Sequence, residues 1–268
     1  MKYVTEDMTV FDIYVSEQFA SKDDIEVVFD IGSLHALESV EFAKEFKNAK
    51  IFAFEAHPGS YEVCLLNTEN YPSVTVINEA VNDFDGSCKF YPMDKDKTIT
   101  IWEDGNQGAS SLYRANGSFD HIEKYVQYEI EVPCTRLDTF CQKNNLDKID
   151  IIWMDLQGAE LKALQSLGPL LETVQIIHTE LEVNPIYEDQ CLFKDVYNFL
   201  LDNGFEHEWG NANVEFFSNY IFRNQRYPIK KKLFLRRSSL YLNNLIKKII
   251  EKVRSMFGYH LEYRALLF

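Results

Sequence analysis

The chain has 268 residues, of which 46% are hydrophobic, 26% charged and 14% aromatic. Such a composition is typical of a globular protein with a sizeable core, and it excludes disorder throughout the chain. No apolar run approaches about 18 residues, so we expect no membrane-spanning helix, and the N-terminus has acids where a signal peptide has an apolar stretch. The five cysteines include no C-x-x-C pair, so we expect reduced thiols and a cytoplasmic protein.

Charge divides the chain into two parts. Residues 1–224 carry 40 acidic and 16 basic side chains, whereas residues 225–268 carry 2 acidic and 11 basic ones, which together give the net charge of −15. An acidic body repels the phosphates of nucleic acids, so we expect no nucleic-acid partner. We predict two units, a globular domain over 1–224 and a basic C-terminal extension over 225–268. The sequence does not indicate an oligomeric state.

Strand-like and helix-like segments alternate along the first two-thirds of the chain. In chain order, we predict a strand at 27–32, a helix at 41–46, a strand at 51–56, a helix at 58–66, strands at 74–81 and 85–93, a long loop at 102–120, a helix at 137–145, a strand at 149–156, a helix at 158–167, a strand at 174–181, a helix at 191–204 and a terminal hairpin. This rhythm predicts an α/β fold with a doubly wound, mostly parallel, seven-stranded sheet.

Ligands of such sheets bind beyond the carboxyl ends of the strands. The predicted strand ends carry several acids, which suit a cationic or hydroxyl-rich ligand better than a phosphate. Glu55, at the end of the second strand, is placed to accept hydrogen bonds from ribose hydroxyls. These ends are at 30–33, 55–57, 81–83, 155–158 and 180–184.

The first strand end distinguishes between two ribose-containing cofactors. A dinucleotide requires G-x-G-x-x-G, so that the backbone can approach the pyrophosphate. The segment that begins at Asp30 reads D-I-G-S-L-H-A-L and has one glycine, Gly32. An acid at this position attracts the ammonium and sulfonium groups of S-adenosylmethionine. The residues therefore favour an S-adenosylmethionine site, and the alternative is an ordinary turn without a ligand.

Several segments in order along the chain resemble one family. VVFDIG, IFAFEAHP, VINEAVND, GASSLY, VPCTRLDTF, IDIIWMDLQGAEL and IIHTELEV are similar to FkbM-type S-adenosylmethionine-dependent methyltransferases, which are mostly O-methyltransferases of sugars and other secondary metabolites. The resemblance covers about residues 25–210 and implies a Rossmann-like class I methyltransferase fold.

The resemblance also implies roles for individual residues. The cofactor would be held by the first loop, by Glu55 at the ribose, by residues 82–83 at the adenine and by Asp155 beside the methyl transfer, with Glu180 as the acid of the next strand end. The predicted cofactor-binding residues are Asp30, Gly32, Ser33, Glu55, Ala56, Asn82, Asp83 and Asp155.

The chain departs from the family pattern at three positions. The first loop of the family usually reads D-V-G-A-N-x-G, but Leu34 takes the Asn position here and Ala36 takes the second Gly position. Gln157 stands where the family usually has Glu, so this chain has less negative charge at that point.

A hydroxyl acceptor benefits from a base that takes its proton as the methyl group is transferred. Asp155 is the first candidate, and Glu180 and His178 on the neighbouring strand are further catalytic candidates. The alternative for His178 is an ordinary core histidine, and the alternative for Asp155, Glu180 and Glu182 is a divalent cation site, although we predict no metal. Predicted acceptor contacts are Asn106, Ser110, Ser111 and Gln157.

The basic extension contains an amphipathic helical pattern at 238–257. Apolar residues recur at helical spacing with lysines and an arginine between them, a pattern typical of helices at an anionic membrane surface. The alternatives are a partner protein or the acidic body of the chain itself.

These observations favour an S-adenosylmethionine-dependent O-methyltransferase that acts on a sugar or glycoconjugate. The first alternative is a nucleotide-dependent oxidoreductase, disfavoured by the absent glycines. The second is a non-catalytic protein, associated with a membrane or a partner, whose cofactor site has degenerated at Leu34 and Ala36.

Overall fold

The computed structural model describes residues 6–230, so the amphipathic pattern predicted at 238–257 lies outside the described residues. Ten strands lie within the described range. They are β1 (Val27–Ile31), β2 (Lys50–Phe54), β3 (Val74–Ile77), β4 (Ala80–Val81), β5 (Gly86–Phe90), β6 (Ile130–Thr135), β7 (Ile151–Met154), β8 (Ile176–Glu182), β9 (Phe205–Trp209) and β10 (Phe217–Asn224).

Seven of these strands form the main sheet, in the order β3-β2-β1-β7-β8-β10-β9. Strands β3, β2, β1, β7 and β8 are parallel, and β10 runs antiparallel between β8 and β9 as the second arm of a terminal hairpin. The predicted doubly wound, mostly parallel, seven-stranded sheet is therefore confirmed. The sheet brings the carboxyl ends of β1, β2, β7 and β8 to one edge.

A second sheet, in the order β4-β6-β5, was not predicted. The segment 74–81 was predicted as one strand, but it forms β3 in the main sheet and β4 in the second one. The chain turns between them, where the Asn78 side-chain amide donates to the backbone oxygen of Glu55 at 2.8 Å. Strand β6 gave a weak sequence signal because Pro133 interrupts it, and a proline is tolerated only where its missing N–H is not needed.

Residues 91–129, which we call the covering loop, connect β5 to β6. Phe90 pairs with Ile130, so the loop leaves and re-enters the second sheet at one paired position. Isolated bridges such as Ile99 with Lys124 hold its arms together, and Ala115 with Tyr187 joins it to the segment after β8. The loop predicted at 102–120 is thus irregular but internally connected.

Helices cover both faces of the main sheet. They are α1 (Glu6–Gln18), α2 (Leu37–Glu45), α3 (Pro58–Thr68), α4 (Leu137–Lys143), α5 (Glu160–Ser166) and α6 (Phe193–Asp202). Helix α1 was not predicted, because its apolar residues are β-branched or aromatic and are weakly segregated along the segment. Its Phe11 and Val15 are nevertheless buried against Ile176 of β8 and Ile221 of β10.

The two faces of the main sheet carry separate cores. On one face, Phe29, Phe54 and Phe140 pack edge to face with ring centroids 4.9–5.9 Å apart. On the other face, α1 and α2 cover a cluster that includes Trp153. Between residues 6 and 230, no helix combines the length and the apolar character needed to cross a membrane.

Candidate functional site

The loop after β1 fits tightly between the ends of two neighbouring strands. The backbone N–H groups of Gly32 and Ser33 both donate to the Phe54 oxygen at 3.0 Å. Gly32 has a φ of +82°, and a Cβ atom at this position would lie 1.9 Å from the backbone oxygen of Asp155. Only glycine fits there, because a side chain would collide with backbone that cannot move aside.

Asp30 faces the first turn of α2 from within the sheet. It is 1% exposed and accepts a hydrogen bond from Ser39 Oγ at 2.5 Å, while Ser33 Oγ donates to its backbone oxygen at 2.9 Å. Burial, and then the charge of Glu38, raise the pKa of Asp30 to about 7. The observed contacts of Asp30 hold the loop and α2 together.

Leu34 and Ala36 have left-handed backbone, with φ values of 50° and 54°. This conformation costs a residue with a side chain roughly 1–2 kcal/mol and is easily adopted by Asn and Gly, the residues expected at these two positions from the family pattern. At both departures, the backbone thus has a conformation that suits the family's Asn and Gly better than Leu and Ala.

Glu55 is buried at the end of β2 and holds two loops together. Its Oε2 accepts from the Leu34 N–H and its Oε1 from the His57 N–H, both at 2.7 Å. Burial raises the pKa of Glu55 to about 7. Each carboxylate oxygen keeps a further lone pair for a ligand hydroxyl.

A cavity that is open to solvent lies over the ends of β1, β2 and β7, and its empty space, including open solvent, is about 530 Å³. It contains five of the residues predicted to bind cofactor or acceptor: Gly32, Glu55, Ala56, Ser110 and Asp155. Its apolar walls, which the sequence interpretation missed, include Val81, Phe90 and Leu112. These residues lie on β4, on β5 and in the covering loop, so their position became visible only with the second sheet.

The residues predicted beside the adenine lie next to this cavity rather than along its wall. Asn82 is 3% exposed, and its side-chain oxygen accepts from the Asp83 N–H at 2.9 Å. Glu79, Ala80 and Val81 form the cavity wall in their place.

Asp155 and Glu180 come together at the ends of β7 and β8, on either side of Gln157. The side-chain nitrogen of Gln157 lies 2.7 Å from Asp155 Oδ1 and 3.2 Å from Glu180 Oε1. Burial raises the pKa of both carboxyl groups, and the charge of Asp155 raises that of Glu180 further. The structure therefore brings three predicted site residues into one hydrogen-bonded group.

Two other groups shape this part of the site. Glu160 accepts from the backbone N–H groups of Leu156 at 2.8 Å and Gly158 at 3.0 Å, so it stabilises the turn that presents Gln157. Ser111 Oγ donates to the backbone oxygen of Gln157 at 2.8 Å. The covering loop is thereby attached to the same turn.

The other predicted acceptor contacts mainly organise the covering loop. The Asn106 amide donates to Glu123 Oε2 at 2.8 Å, and Ser110 Oγ donates to the Gln107 oxygen at 2.7 Å. Of these two, Ser110 reaches the cavity wall.

His178 lies beneath α1, two residues before Glu180 on β8. Its ring is stacked on Trp153 with centroids 3.5 Å apart and touches Phe11 edge to face. Neither ring nitrogen has a hydrogen-bond partner among the described residues, and burial lowers the pKa of His178 to about 3. The ring therefore lies in the core, but its two unpartnered nitrogens differ from those of the satisfied core histidine considered as its alternative.

The divalent-cation alternative at Asp155, Glu180 and Glu182 has no geometric support. Within residues 6–230, no group of three His, Cys, Asp or Glu side chains is arranged to hold a metal ion.

The cavity fits S-adenosylmethionine better than a dinucleotide. Glu55 offers acceptor oxygens for ribose hydroxyls, and Val81, Phe90 and Leu112 offer an apolar wall for an aromatic base. The first loop has one glycine and no cradle of amides for a pyrophosphate. Asp155, a carboxyl group, lies in the wall of the same cavity.

Sequence comparison identifies the same region of the chain. The family model described as Methyltransferase FkbM domain matches residues 30–207. The 2-O-methyltransferase NoeI of Sinorhizobium fredii (strain NBRC 101917 / NGR234) is 27% identical over 178 residues, which are 65% of this chain and 70% of that protein.

Two solved structures are similar in fold. TrmK of M. capricolum, in complex with S-adenosyl-homocysteine, is 9% identical with a TM-score of 0.44, and the alignment covers 97% of this chain and 89% of that one. The fibrillarin pre-rRNA processing protein of Methanococcus jannaschii is 8% identical with a TM-score of 0.46, at 82% and 76% coverage. Likenesses this weak add nothing to the assignment, which depends on the sequence match.

Proposed function

We propose that this chain, which belongs to the FkbM methyltransferase-domain family and is therefore an S-adenosylmethionine-dependent methyltransferase, methylates a hydroxyl group of a sugar or glycoconjugate. The observation that carries the proposal is the partly buried carboxylate pair, Asp155 and Glu180, at the end of the cofactor cavity. The 2-O-methyltransferase NoeI, a relative over the same part of the chain, supports the choice of a hydroxyl acceptor.

In this proposal the cofactor would be held in the cavity over the ends of β1, β2 and β7. Glu55 would accept hydrogen bonds from the ribose hydroxyls, while Val81 and Phe90 would contact the adenine. The loop at Gly32 approaches the ligand with its backbone, as the absence of a side chain there allows. When bound, the cofactor supplies an electrophilic methyl group on a positively charged sulfur.

Asp155 and Glu180 perform the acid–base part of the reaction. One of them accepts the proton of the acceptor hydroxyl, which is typically worth roughly 10²–10⁴-fold in rate. Burial raises the pKa of both groups, and the charge of Asp155 raises that of Glu180 further, which makes them stronger bases than exposed carboxylates. We assign no proton transfer to His178, since its ring lies under α1 against Trp153.

Calorimetric titration with S-adenosylhomocysteine tests the cofactor site. We expect micromolar binding to the unaltered protein and about 10- to 100-fold weaker binding to Glu55→Gln, which loses its charge and one acceptor oxygen. Glu79→Gln, on the same cavity wall, is the matched control and should bind nearly as well as the unaltered protein. Equal binding by both variants would remove Glu55 from the ribose site.

Release of S-adenosylhomocysteine in the presence of a panel of oligosaccharides and glycolipids tests the acceptor class. Asp155→Asn should retain binding of S-adenosylhomocysteine, which carries no charge on sulfur, but lose at least about 100-fold in rate on any acceptor found. Turnover on amine acceptors but on no sugar would contradict the proposed hydroxyl chemistry.

We further propose that the basic segment 238–257 makes a peripheral contact with a membrane. Its predicted apolar stripe and lysines support this role. Co-flotation of the full chain with phosphatidylserine vesicles, and its loss at high salt, is the expected result. Equal flotation with neutral vesicles would contradict an electrostatic contact.

A further inference from the structure

Gln157 has an unusually complete set of contacts for a side chain on a turn. Its Nε2 atom reaches two carboxylates, Asp155 at 2.7 Å and Glu180 at 3.2 Å. An amide NH₂ group has two hydrogens and no acceptor capacity, so it can donate one hydrogen to each carboxylate. A side chain recruited only to bind an acceptor would not need both of its hydrogens inside the protein.

Tyr187 determines which way the amide points. Its hydroxyl lies 2.8 Å from Gln157 Oε1, and also 2.8 Å from the Ala109 oxygen, so the one hydroxyl hydrogen has two acceptors. Burial raises the pKa of Tyr187 well above its usual value, which keeps that hydrogen in place. The reversed amide would set its oxygen against the oxygen of Asp155, where neither atom can donate.

The backbone at Gln157 is strained, and three neighbouring side chains fix its position. Its φ is 50°, an uncommon value for a residue with a long side chain. Glu160 fixes the flanking N–H groups, Ser111 donates to the Gln157 oxygen, and the packing of Gln190 against Gly158 leaves no room for a Cβ there. A strained residue that its surroundings over-determine marks a functional position.

We propose that Gln157 is a positioning residue, whose amide holds Asp155 and Glu180 as a converging carboxylate pair, and that Tyr187 locks the amide in the orientation that does so. The inference rests on the proposed function, since the pair then faces the sulfonium and the acceptor. It replaces the expectation that Gln157 contacts the acceptor.

The charge of the pair is the property that this arrangement controls. Two buried carboxylates repel each other, and a shared donor lets both remain ionised at a lower pH than they otherwise would. The titratable groups that face the pair are Asp7 from α1, Glu160 from α5, Glu182 on β8, Tyr125 from the covering loop and Tyr187. None of these supplies a positive charge. The Gln157 side-chain amide donates to both carboxylates, and the Gln157 backbone N–H also donates to Asp155.

The ratio of the affinities for S-adenosylmethionine and S-adenosylhomocysteine reports the charge of the carboxylate pair. It can be measured without a methyl-acceptor substrate. The two ligands differ by a methyl group and a positive charge on sulfur, so the ratio of their dissociation constants reports the negative charge beside the sulfur. In Gln157→Met, which keeps the length but loses both hydrogens, we expect the preference for S-adenosylmethionine to fall about fivefold at pH 7.5 and to rise again as the pH is increased. Tyr187→Phe should lower it about twofold to threefold.

Gln107→Met is the matched control, because Gln107 lines the same cavity but donates to the Met93 oxygen. It should change the affinities for both ligands equally. An unchanged preference in Gln157→Met would overturn the inference, as would a loss that is the same at every pH, since misplaced side chains do not respond to pH in this way. If Gln157→Met does not fold, an unchanged preference in Tyr187→Phe is equally decisive. Failure of the unaltered protein to bind either ligand would instead refute the proposed function itself.

Discussion

The two ends of the candidate site hold their carboxylates in different ways. On the cofactor side (Gly32, Leu34 and Glu55), Glu55 is held by two backbone N–H groups of adjacent loops. On the reaction side (Asp155, Gln157 and Glu180), the carboxylates are held by a side-chain amide. The cofactor-side carboxylate is thus held by backbone donors, which no side-chain substitution removes, whereas the reaction-side carboxylates are held by one side chain. A substitution of Gln157 can therefore change the reaction side without removing the hydrogen bonds that hold Glu55.

Gly32→Ala should break both sides at once, because the added Cβ would lie 1.9 Å from the Asp155 backbone oxygen. We expect a loss of at least about 4 kcal/mol in the free energy of unfolding and no measurable binding of S-adenosylhomocysteine. Urea denaturation and calorimetry provide the two measurements.

Gly86→Ala is the control for Gly32→Ala. Gly86 also has a positive φ, of 139°, but an added Cβ meets nothing within 4 Å. It should cost only the conformational strain, roughly 1–2 kcal/mol. Equal losses in both variants would show that the close approach of Gly32 to β7 is unimportant.

The pH dependence of the free energy of unfolding tests the raised pKa values of the buried acids in the site. Burial raises the pKa of Asp30, Glu55 and Glu160 to about 7, from ordinary values of 3.8, 4.5 and 4.5. Between those values the folded state binds more protons than the unfolded state. The ligand-free protein should therefore become more stable, by at least about 2 kcal/mol, as the pH falls from 8 to 5.5.

His178 acts in the opposite direction, since its pKa is lowered to about 3 from 6.5 and the unfolded state binds its proton first. It reduces the gain below pH 6.5 but does not cancel the effect of three acids. Urea denaturation at pH 8, 6.5 and 5.5 makes the comparison. Stability that decreases steadily on acidification would contradict the raised pKa values.

Ser111→Ala should loosen the covering loop from the reaction side. The Ser111 hydroxyl is 1% exposed, donates to the Gln157 oxygen and accepts from the Tyr113 N–H at 3.0 Å. Its loss leaves two buried backbone groups unsatisfied, so we expect about 1–2 kcal/mol of destabilisation. Ser87→Ala, on exposed β5, should change stability by less than about 0.5 kcal/mol. Similar effects of the two substitutions would argue against the Ser111 contact.

Leu34→Asn, on the cofactor side, is expected to have the smallest effect on stability and on cofactor binding. Asn tolerates the left-handed backbone at φ 50°, but some apolar contact with the covering loop at Gly108 is lost. We expect these effects to offset each other within about 1 kcal/mol in stability, with binding of S-adenosylhomocysteine unchanged or slightly tighter. Weaker binding by more than about threefold would show that the Leu34 side chain itself contributes to the site.

The same division explains which parts of the site could be predicted from the sequence. Gly32, Glu55 and Asp155 directly follow buried strands, and the ends of parallel strands meet at one edge, so periodicity alone located them. The left-handed backbone at Leu34 was not visible because neither Asn nor Gly stands there. The pairing of Gln157 with Glu180 and Tyr187 depends on how three separate segments pack, which no local pattern encodes.

The main sheet could be predicted from the sequence, whereas the second sheet could not. The strands of the main sheet form apolar runs and were located, with the error that 74–81 was predicted as a single strand. Strand β6 and helix α1 were missed because Pro133 and a weakly segregated apolar pattern obscured them. The second sheet was therefore absent from the prediction, and with it the cavity wall at Val81 and Phe90.

The way the covering loop is attached has a consequence for engineering. It leaves the second sheet at Phe90 and returns at Ile130, which are paired with each other, so its two ends are fixed at one point outside the main sheet. Residues 91–129 therefore form a graftable cassette. A segment of different length or composition can be exchanged between relatives that share this register, provided that it keeps the cavity wall at Ser110 and Leu112 and the Ser111 contact with Gln157. Chimeras made at this junction would show whether the acceptor that is methylated depends on the source of the covering loop or on the source of the main sheet.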